Sequence, residues 1–259
     1  MTYVIDDSLT MLRRNLLRVV RYPGLSLFTI LGPVVVLLLV VFVFGGTLGA
    51  GLPGAGGREA YLAYVMPGIL LITIAGTASG AAITVAMDMT EGITARFRTM
   101  AISRAAVLAG HVIGNTIQAL IAVTLVLGVG LLAGFRPTAG PLEWLGAFGL
   151  VLLISFAVSW IGVAMGMQAK TVETASNLPL ILTLLPALGS GFVPTASMPA
   201  WLEAFASYQP FTPFIESVRG LLLGGDLTPS LWFALGWAAA LTVGGYIWAM
   251  ALYERRSVR

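Results

Sequence analysis

Apolar residues along this chain fall in long unbroken runs, and charged residues collect in the gaps between them. Stretches free of Asp, Glu, Lys and Arg run from Tyr22 to Gly57 (densest over Leu25–Phe44), Ala60 to Met87, Ala105 to Phe135, Trp144 to Ala169, Thr174 to Leu202 and Leu227 to Tyr253. About 20 apolar residues in a helix cover the hydrocarbon core of a bilayer. The pattern therefore predicts six transmembrane helices. The part between Val193 and Asp226 reads differently. Pro194, Pro199, Pro210 and Pro213 break it, and Glu203, Glu216 and Arg219 interrupt its aromatic residues. Proline removes a backbone donor and ends helices. Residues 194–226 are expected to form a short re-entrant or interfacial hairpin on the outer side, not a seventh crossing.

Composition narrows the class. Of 259 residues, 58% are hydrophobic and 10% charged, and mean hydropathy is +0.95. An ordinary soluble domain carries about 25% charge. So few charges cannot cover a water-facing surface, which excludes a soluble globular domain, a disordered chain and a nucleic-acid-binding module. With no cysteine, there is no disulfide, thiol catalysis or cysteine-based metal site. The fold class expected is an all-α integral membrane protein.

Charge placement orients it. With the N-terminus inside, the inner segments hold Arg13, Arg14, Arg18, Arg21, Arg96, Arg98, Arg104, Lys170, Arg255, Arg256 and Arg259, and the outer ones only Arg58, Arg136 and Arg219. Basic residues favour the cytoplasmic side. Both termini are expected there, and the length of the first apolar run argues against a cleaved signal peptide.

Two inner pieces carry more than topology. Before the first crossing, Leu9, Leu12, Leu16 and Val19–Val20 repeat at helical spacing, with arginines between them. Such a helix lies in the membrane interface with its basic face toward lipid, or serves only as a topology anchor. Between the second and third crossings, the stretch from Asp88 to Arg104 mixes both charge signs with Ile93, Phe97, Met100 and Ile102. It reads as a short two-faced surface helix, docked either on another protein or on lipid.

Polar groups inside the runs are few. His111, Asn115 and Gln118 share one helix face. Facing lipid would be costly, so they either line a path or bond neighbouring helices. Thr73, Thr77 and Thr84 can bond their own helix carbonyls. Gly76, Gly80, Gly110, Gly114, Gly130, Gly134, Gly162 and Gly166 form four small-xxx-small pairs, a spacing that lets helix backbones approach. Asp88 and Glu173 stand at crossing ends. One histidine cannot build a histidine-based metal site. No G-x-S-x-G or Walker A sequence occurs: the sole lysine, Lys170, precedes Thr171 but follows Ala169. ATP power, if used, must come from another chain.

Two stretches carry a family resemblance. One is Asp88-Met89-Thr90-Glu91-Gly92 through Ala95-Arg96-Phe97-Arg98 to Ser103-Arg104. The other runs from Glu173-Thr174-Ala175 through Gly189-Ser190-Gly191-Phe192-Val193-Pro194, Met198-Pro199-Ala200-Trp201-Leu202 and Tyr208-Gln209-Pro210-Phe211-Thr212 to Arg219. Together they resemble the permease subunit of ABC-2-type exporters, in the daunorubicin-resistance group. Gln209-Pro210 stands where many members have Asn-Pro.

That resemblance implies a single ABC-2-type transmembrane domain over residues 1–259. Residues 1–24 would be a cytoplasmic elbow helix and 88–104 the coupling helix. Glu91, Gly92, Arg96, Phe97, Arg98 and Arg104 would press on a separate nucleotide-binding ATPase subunit, which would hold the ATP and Mg; this chain itself would carry no cofactor. A second copy of the permease, membrane lipid and a small hydrophobic substrate would be the other partners, with no nucleic acid. The first, second and fifth crossings would line the path and dimer seam. Substrates would be anthracycline-like drugs, other hydrophobic natural products or lipids, exported across a bacterial plasma membrane. The competing classes are an ion-coupled or passive carrier working alone, a membrane-embedded lipid enzyme, for which no catalytic constellation appears, and a non-transporting sensor or scaffold.

Overall fold

A computed structural model of the protein describes residues 23–51, 56–90, 104–225 and 227–255. All regular structure among them is helical. Helix α1 (Pro23–Leu39) passes through a π-helical turn (Val40–Phe44) into α2 (Gly45–Ala50), making one continuous crossing with Pro33 inside it. Then come α3 (Arg58–Thr90), α4 (Arg104–Leu132) and α5 (Pro141–Gln168). Two short helices follow, α6 (Val172–Asn177) and α7 (Leu180–Leu184), then a 3-10 turn (Thr195–Ser197), α8 (Ala200–Tyr208), α9 (Phe211–Leu223) and α10 (Thr228–Arg255).

Among the described residues, five helices are long and apolar enough to cross a membrane: Ile30–Ala50, Arg58–Thr90, Leu108–Leu132, Pro141–Gln168 and Pro229–Glu254. They coincide with five of the six runs read from the sequence. The remaining run, Thr174–Leu202, differs from expectation. It is not one helix but α6, α7 and a series of turns. Pro179 and Pro186 lie where the helix fails, because each lacks a donor for the preceding turn.

The chain nevertheless traverses the bundle there. Helix α5 runs parallel to α3, Gly162 meeting Ala78 and Gly166 meeting Ala82. Helix α10 runs parallel to α5: Ala234 and Ala238 share a cluster with Ala147 and Leu150, whereas Ala249 and Tyr253 share one with Val163 and Met167. Since α5 and α10 point the same way, the chain must return between Gln168 and Thr228. It does so alongside α3. Ala169 and Ala175 pack with Ala82 and Ala86, whereas Gly191 meets Gly68 near the other end. On α3, Gly68 and Ala86 are about 27 Å apart at ~1.5 Å per residue, close to the ~30 Å hydrocarbon core.

Helix α3 is the buried axis. It packs against α1, α2, α4, α5, α6, α7 and α9. Leu62, Val65, Met66, Ile69, Leu70 and Ile74 are fully enclosed. Helix α1 with the π-helical turn after it, and α10, lie at the margins and leave Val35, Phe42, Val43, Trp232, Phe233 and Ile247 exposed. Of the four small-residue pairs, Gly162 and Gly166 demonstrably set a close helix approach. A Cβ on Gly162 would lie 2.8 Å from the Ala78 carbonyl oxygen, and one on Gly166 would lie 2.5 Å from that of Ala82. Gly76 and Gly80 instead look onto open space. The threonines behave as expected: Thr73, Thr77 and Thr84 donate to the carbonyls of Ile69, Ile74 and Gly80.

Helix ends are satisfied locally. Glu143 turns back to accept the Gly140 N–H at 2.6 Å at the start of α5, and Thr171 accepts the Thr174 N–H at the start of α6. Both are standard N-terminal caps.

Replacing Gly166 with Leu is expected to destabilise the fold by about 1–3 kcal/mol, the usual cost of overpacking a filled contact. Gly149→Ala, on the exposed face of α5, should leave stability within about 1 kcal/mol. Thermal unfolding in detergent compares the two.

Candidate functional site

Most of the residues expected to couple to an ATPase, Glu91, Gly92, Arg96, Phe97 and Arg98, lie outside the described residues. Arg104 is described as the first residue of α4. The elbow helix also falls outside them, except that Pro23 and Gly24, assigned to its end, open α1.

What the structure does describe is the base of the α3–α4 connection. Asp88, two residues before α3 ends, meets His111, two turns into α4. His111 Nε2 stands 3.3 Å from Asp88 Oδ2. The residues are 3% and 7% exposed, so this is a buried contact and not a pair of interfacial side chains. The sequence places Asp88 at a crossing end and His111 in a polar strip, and gives no sign that they meet. The available clue is their placement on either side of one connection, where antiparallel neighbours face each other.

The strip itself divides. Asn115 donates to Ser159 Oγ on α5 at 2.8 Å, Thr116 Oγ1 lies 3.4 Å from the same oxygen, and Ser159 donates to the Ser155 carbonyl. His111 and Asn115 are thus packing contacts between helices. Gln118 is only half-buried.

The second feature is the irregular backbone between α7 and the 3-10 turn. Here three carbonyls lie beyond regular helix, and side chains from elsewhere meet each of them. Gln209 Nε2 donates to the Leu185 carbonyl at 3.1 Å. Arg219 Nη2 donates to the Ser190 carbonyl at 2.8 Å. The Tyr61 hydroxyl donates to the Phe192 carbonyl at 3.2 Å. Unpaired backbone groups are expensive in an apolar setting, and these bonds remove that cost.

Each donor is held in turn. Gln209 accepts the Phe211 N–H through Oε1 and donates to Thr212 Oγ1, capping α9 while bonding Leu185. Arg219 also donates to the Tyr64 carbonyl, pairs with Glu216 at 2.6 Å, and lies 4.0 Å over the Tyr64 ring. One guanidinium therefore binds α3, α9 and the irregular segment together. Pro67, one turn beyond Ala63, removes the donor that the Ala63 carbonyl would use. Glycines allow the approach: a Cβ on Gly68 would lie 2.6 Å from Gly191 Cα, and one on Gly189 would be 2.5 Å from Thr212 Oγ1.

This explains the second sequence signature in physical terms. Gly189-Ser190-Gly191 is the irregular backbone, Pro199 begins α8, Gln209-Pro210 joins α8 to α9, and Arg219 closes the joint. Beyond Pro194 lie a 3-10 turn and the two short helices α8 and α9, and α9 buries Phe211, Phe214, Ile215, Val218 and Leu222 against α3, α5 and α10. The three arginines counted as outer are all engaged: Arg58 lies over the Phe42 ring, Arg136 donates to the Leu131 and Phe135 carbonyls, and Arg219 holds the joint.

Compared with known proteins, residues 7–223 match the family described as ABC-2 type transporter. The chain is 29% identical over 222 residues to the daunorubicin resistance ABC transporter permease protein DrrB1 of Streptomyces coeruleorubidus, covering 85% of this chain and 76% of that one. It is 24% identical over 215 residues to the probable doxorubicin resistance ABC transporter permease protein DrrC of Mycobacterium tuberculosis strain CDC 1551 / Oshkosh, covering 83% and 78%. The counterpart from strain H37Rv gives the same figures.

Gln209→Leu should destabilise the protein by about 1–3 kcal/mol, because the Leu185 carbonyl and the Phe211 N–H lose their partner together. Gln209→Asn should fall between it and the native protein, since the shorter amide still caps α9 but cannot reach Leu185. Melting temperatures in detergent test that order.

Proposed function

The chain belongs to the ABC-2 type transporter family, within its drug-resistance permease group, and on that premise we propose that it is the permease subunit of an ATP-driven exporter of hydrophobic compounds. The observation that carries the reading is the extent of the family match, which begins ahead of the first crossing and runs through the irregular segment to the end of α9. The power source is a separate nucleotide-binding subunit, since this sequence lacks a Walker A motif. Two relatives are named for daunorubicin and doxorubicin resistance, which supports a hydrophobic drug, natural product or lipid as substrate. An apolar lining discriminates weakly between analogues, so selectivity is broad.

In this reading the protein sits in a bacterial plasma membrane with both termini in the cytoplasm. The irregular segment from α6 to Phe192 is the fifth of six crossings, because it spans the same length of α3 as a membrane core. Helices α8 and α9 form the outer re-entrant hairpin. The exposed faces of α1, the π-helical turn after it and α7, with Val35, Phe42, Ile181 and Leu184, meet a second copy across the substrate path. The connection between α3 and α4 docks on the ATPase. Nucleotide binding biases the states it binds differently, and the docked segments pass that bias to the crossings as a rigid-body shift.

The test begins with gentle purification of the tagged chain from its native membrane. A P-loop ATPase should come with it and be lost when residues 96–104 are scrambled without harming insertion. A folded chain that binds no ATPase yet moves solute along an ion gradient would overturn the reading. With the complex in hand, Glu91→Ala and Arg96→Glu are expected to leave the chain in the membrane and to separate ATP hydrolysis from export. Normal export by either variant would sink their assignment to coupling.

A further inference from the structure

We propose that Asp88 and His111 are positioning residues for coupling: a buried strut that makes α3 and α4 move as one body when the connection between them is pushed. This rests on the reading above, that residues between Thr90 and Arg104 dock on the ATPase, and goes beyond it by naming what receives the push.

Three observations carry it. The pair stands close to that connection on both helices, Asp88 two residues before the end of α3 and His111 seven residues after the start of α4. It is buried, and on the same helical faces Ala81, Val85, Leu108 and Val112 pack with Trp160, Val163 and Met167 of α5 and with Ala249 and Tyr253 of α10. Displacement of the strut is therefore felt by four helices. Beyond it, the α3–α5 contact is backbone-close at Gly166 and Gly162, so the force continues along α3 without a soft layer.

The physics favours a strut over a hinge. A short polar contact buried among apolar side chains is directional, and separating its members there leaves each without a partner in surroundings that cannot solvate it. An apolar contact at the same place has no directional preference and slides. The distinction yields a test that a merely structural role does not share. Replacing both members of a buried polar pair with apolar side chains of similar shape is often nearly neutral for stability. Asp88→Leu/His111→Leu should thus insert, bind the ATPase and hydrolyse ATP. Its export per ATP hydrolysed should fall roughly 2- to 30-fold, the span expected for residues within a coupling network.

The experiment measures ATP hydrolysis and export of a fluorescent hydrophobic drug, daunorubicin, by the reconstituted permease–ATPase complex in liposomes. It compares the native chain, the double-leucine variant, Asp88→Asn, and the swapped pair Asp88→His/His111→Asp. A raised ATP-to-drug ratio in the double-leucine variant, with substantial recovery in the swap, is the expected result. Asp88→Asn keeps a polar partner for His111 and should show a smaller rise; it also tests the strut if the leucine pair fails to assemble. An unchanged ratio in the assembled variants overturns the strut while leaving the exporter intact, as does a parallel loss of hydrolysis and export with falling protein yield. Absence of any ATPase from the native preparation overturns the exporter reading itself.

Discussion

Every backbone N–H and C=O in this chain has to find its partner within the protein wherever lipid surrounds it. In four of the segments that cross the bundle, an unbroken α-helix answers that demand by construction. The first answers it with a π-helical turn built in. The segment after α5 cannot, because Pro179 and Pro186 withdraw donors inside it. The structure around it follows from that deficit. Gln209, Arg219 and Tyr61 come from three different places and converge on carbonyls of one short stretch. The α8–α9 hairpin is held where it is in part because two of those donors belong to it.

Close backbone approach is the second means of holding the bundle. Apolar surface drives little association between helices already in lipid, so contact area and fit decide which helices pair. Here α3 collects these contacts. Gly162 and Gly166 bring α5 against it on one side, and Gly191 brings the irregular segment against Gly68 on another. A helix so enclosed cannot shift alone. Motion at its end near Asp88 has to take α4, α5 and α10 along or slide past them.

The two ends of the bundle are built differently. Near Gly68, a charged group, an amide and a phenol pin irregular backbone through several hydrogen bonds. Near Asp88, a buried polar pair stands at the base of a connection, with apolar side chains around it. The first arrangement stabilises a conformation that has no regular ladder of its own. The second ties two regular helices to one another.

Hydropathy and charge alone determined the class of this protein and the location of the long helices among its described residues. Those features depend on composition over 20 or more residues, and no single contact alters them. Pro199 and Pro210 also mark where the short helices α8 and α9 start. Two further matters belonged to the tertiary structure. One is that Thr174–Leu202, as apolar as its neighbours, is broken: hydropathy records preference for lipid, whereas helix continuity depends on donors that Pro179 and Pro186 lack. The other is which polar residues meet. Asp88 and His111 are 23 positions apart, and Arg219 lies 155 from Tyr64 and 29 from Ser190. Helical periodicity assigns each to a face of its own helix, but only the packing of one helix on another decides what that face touches.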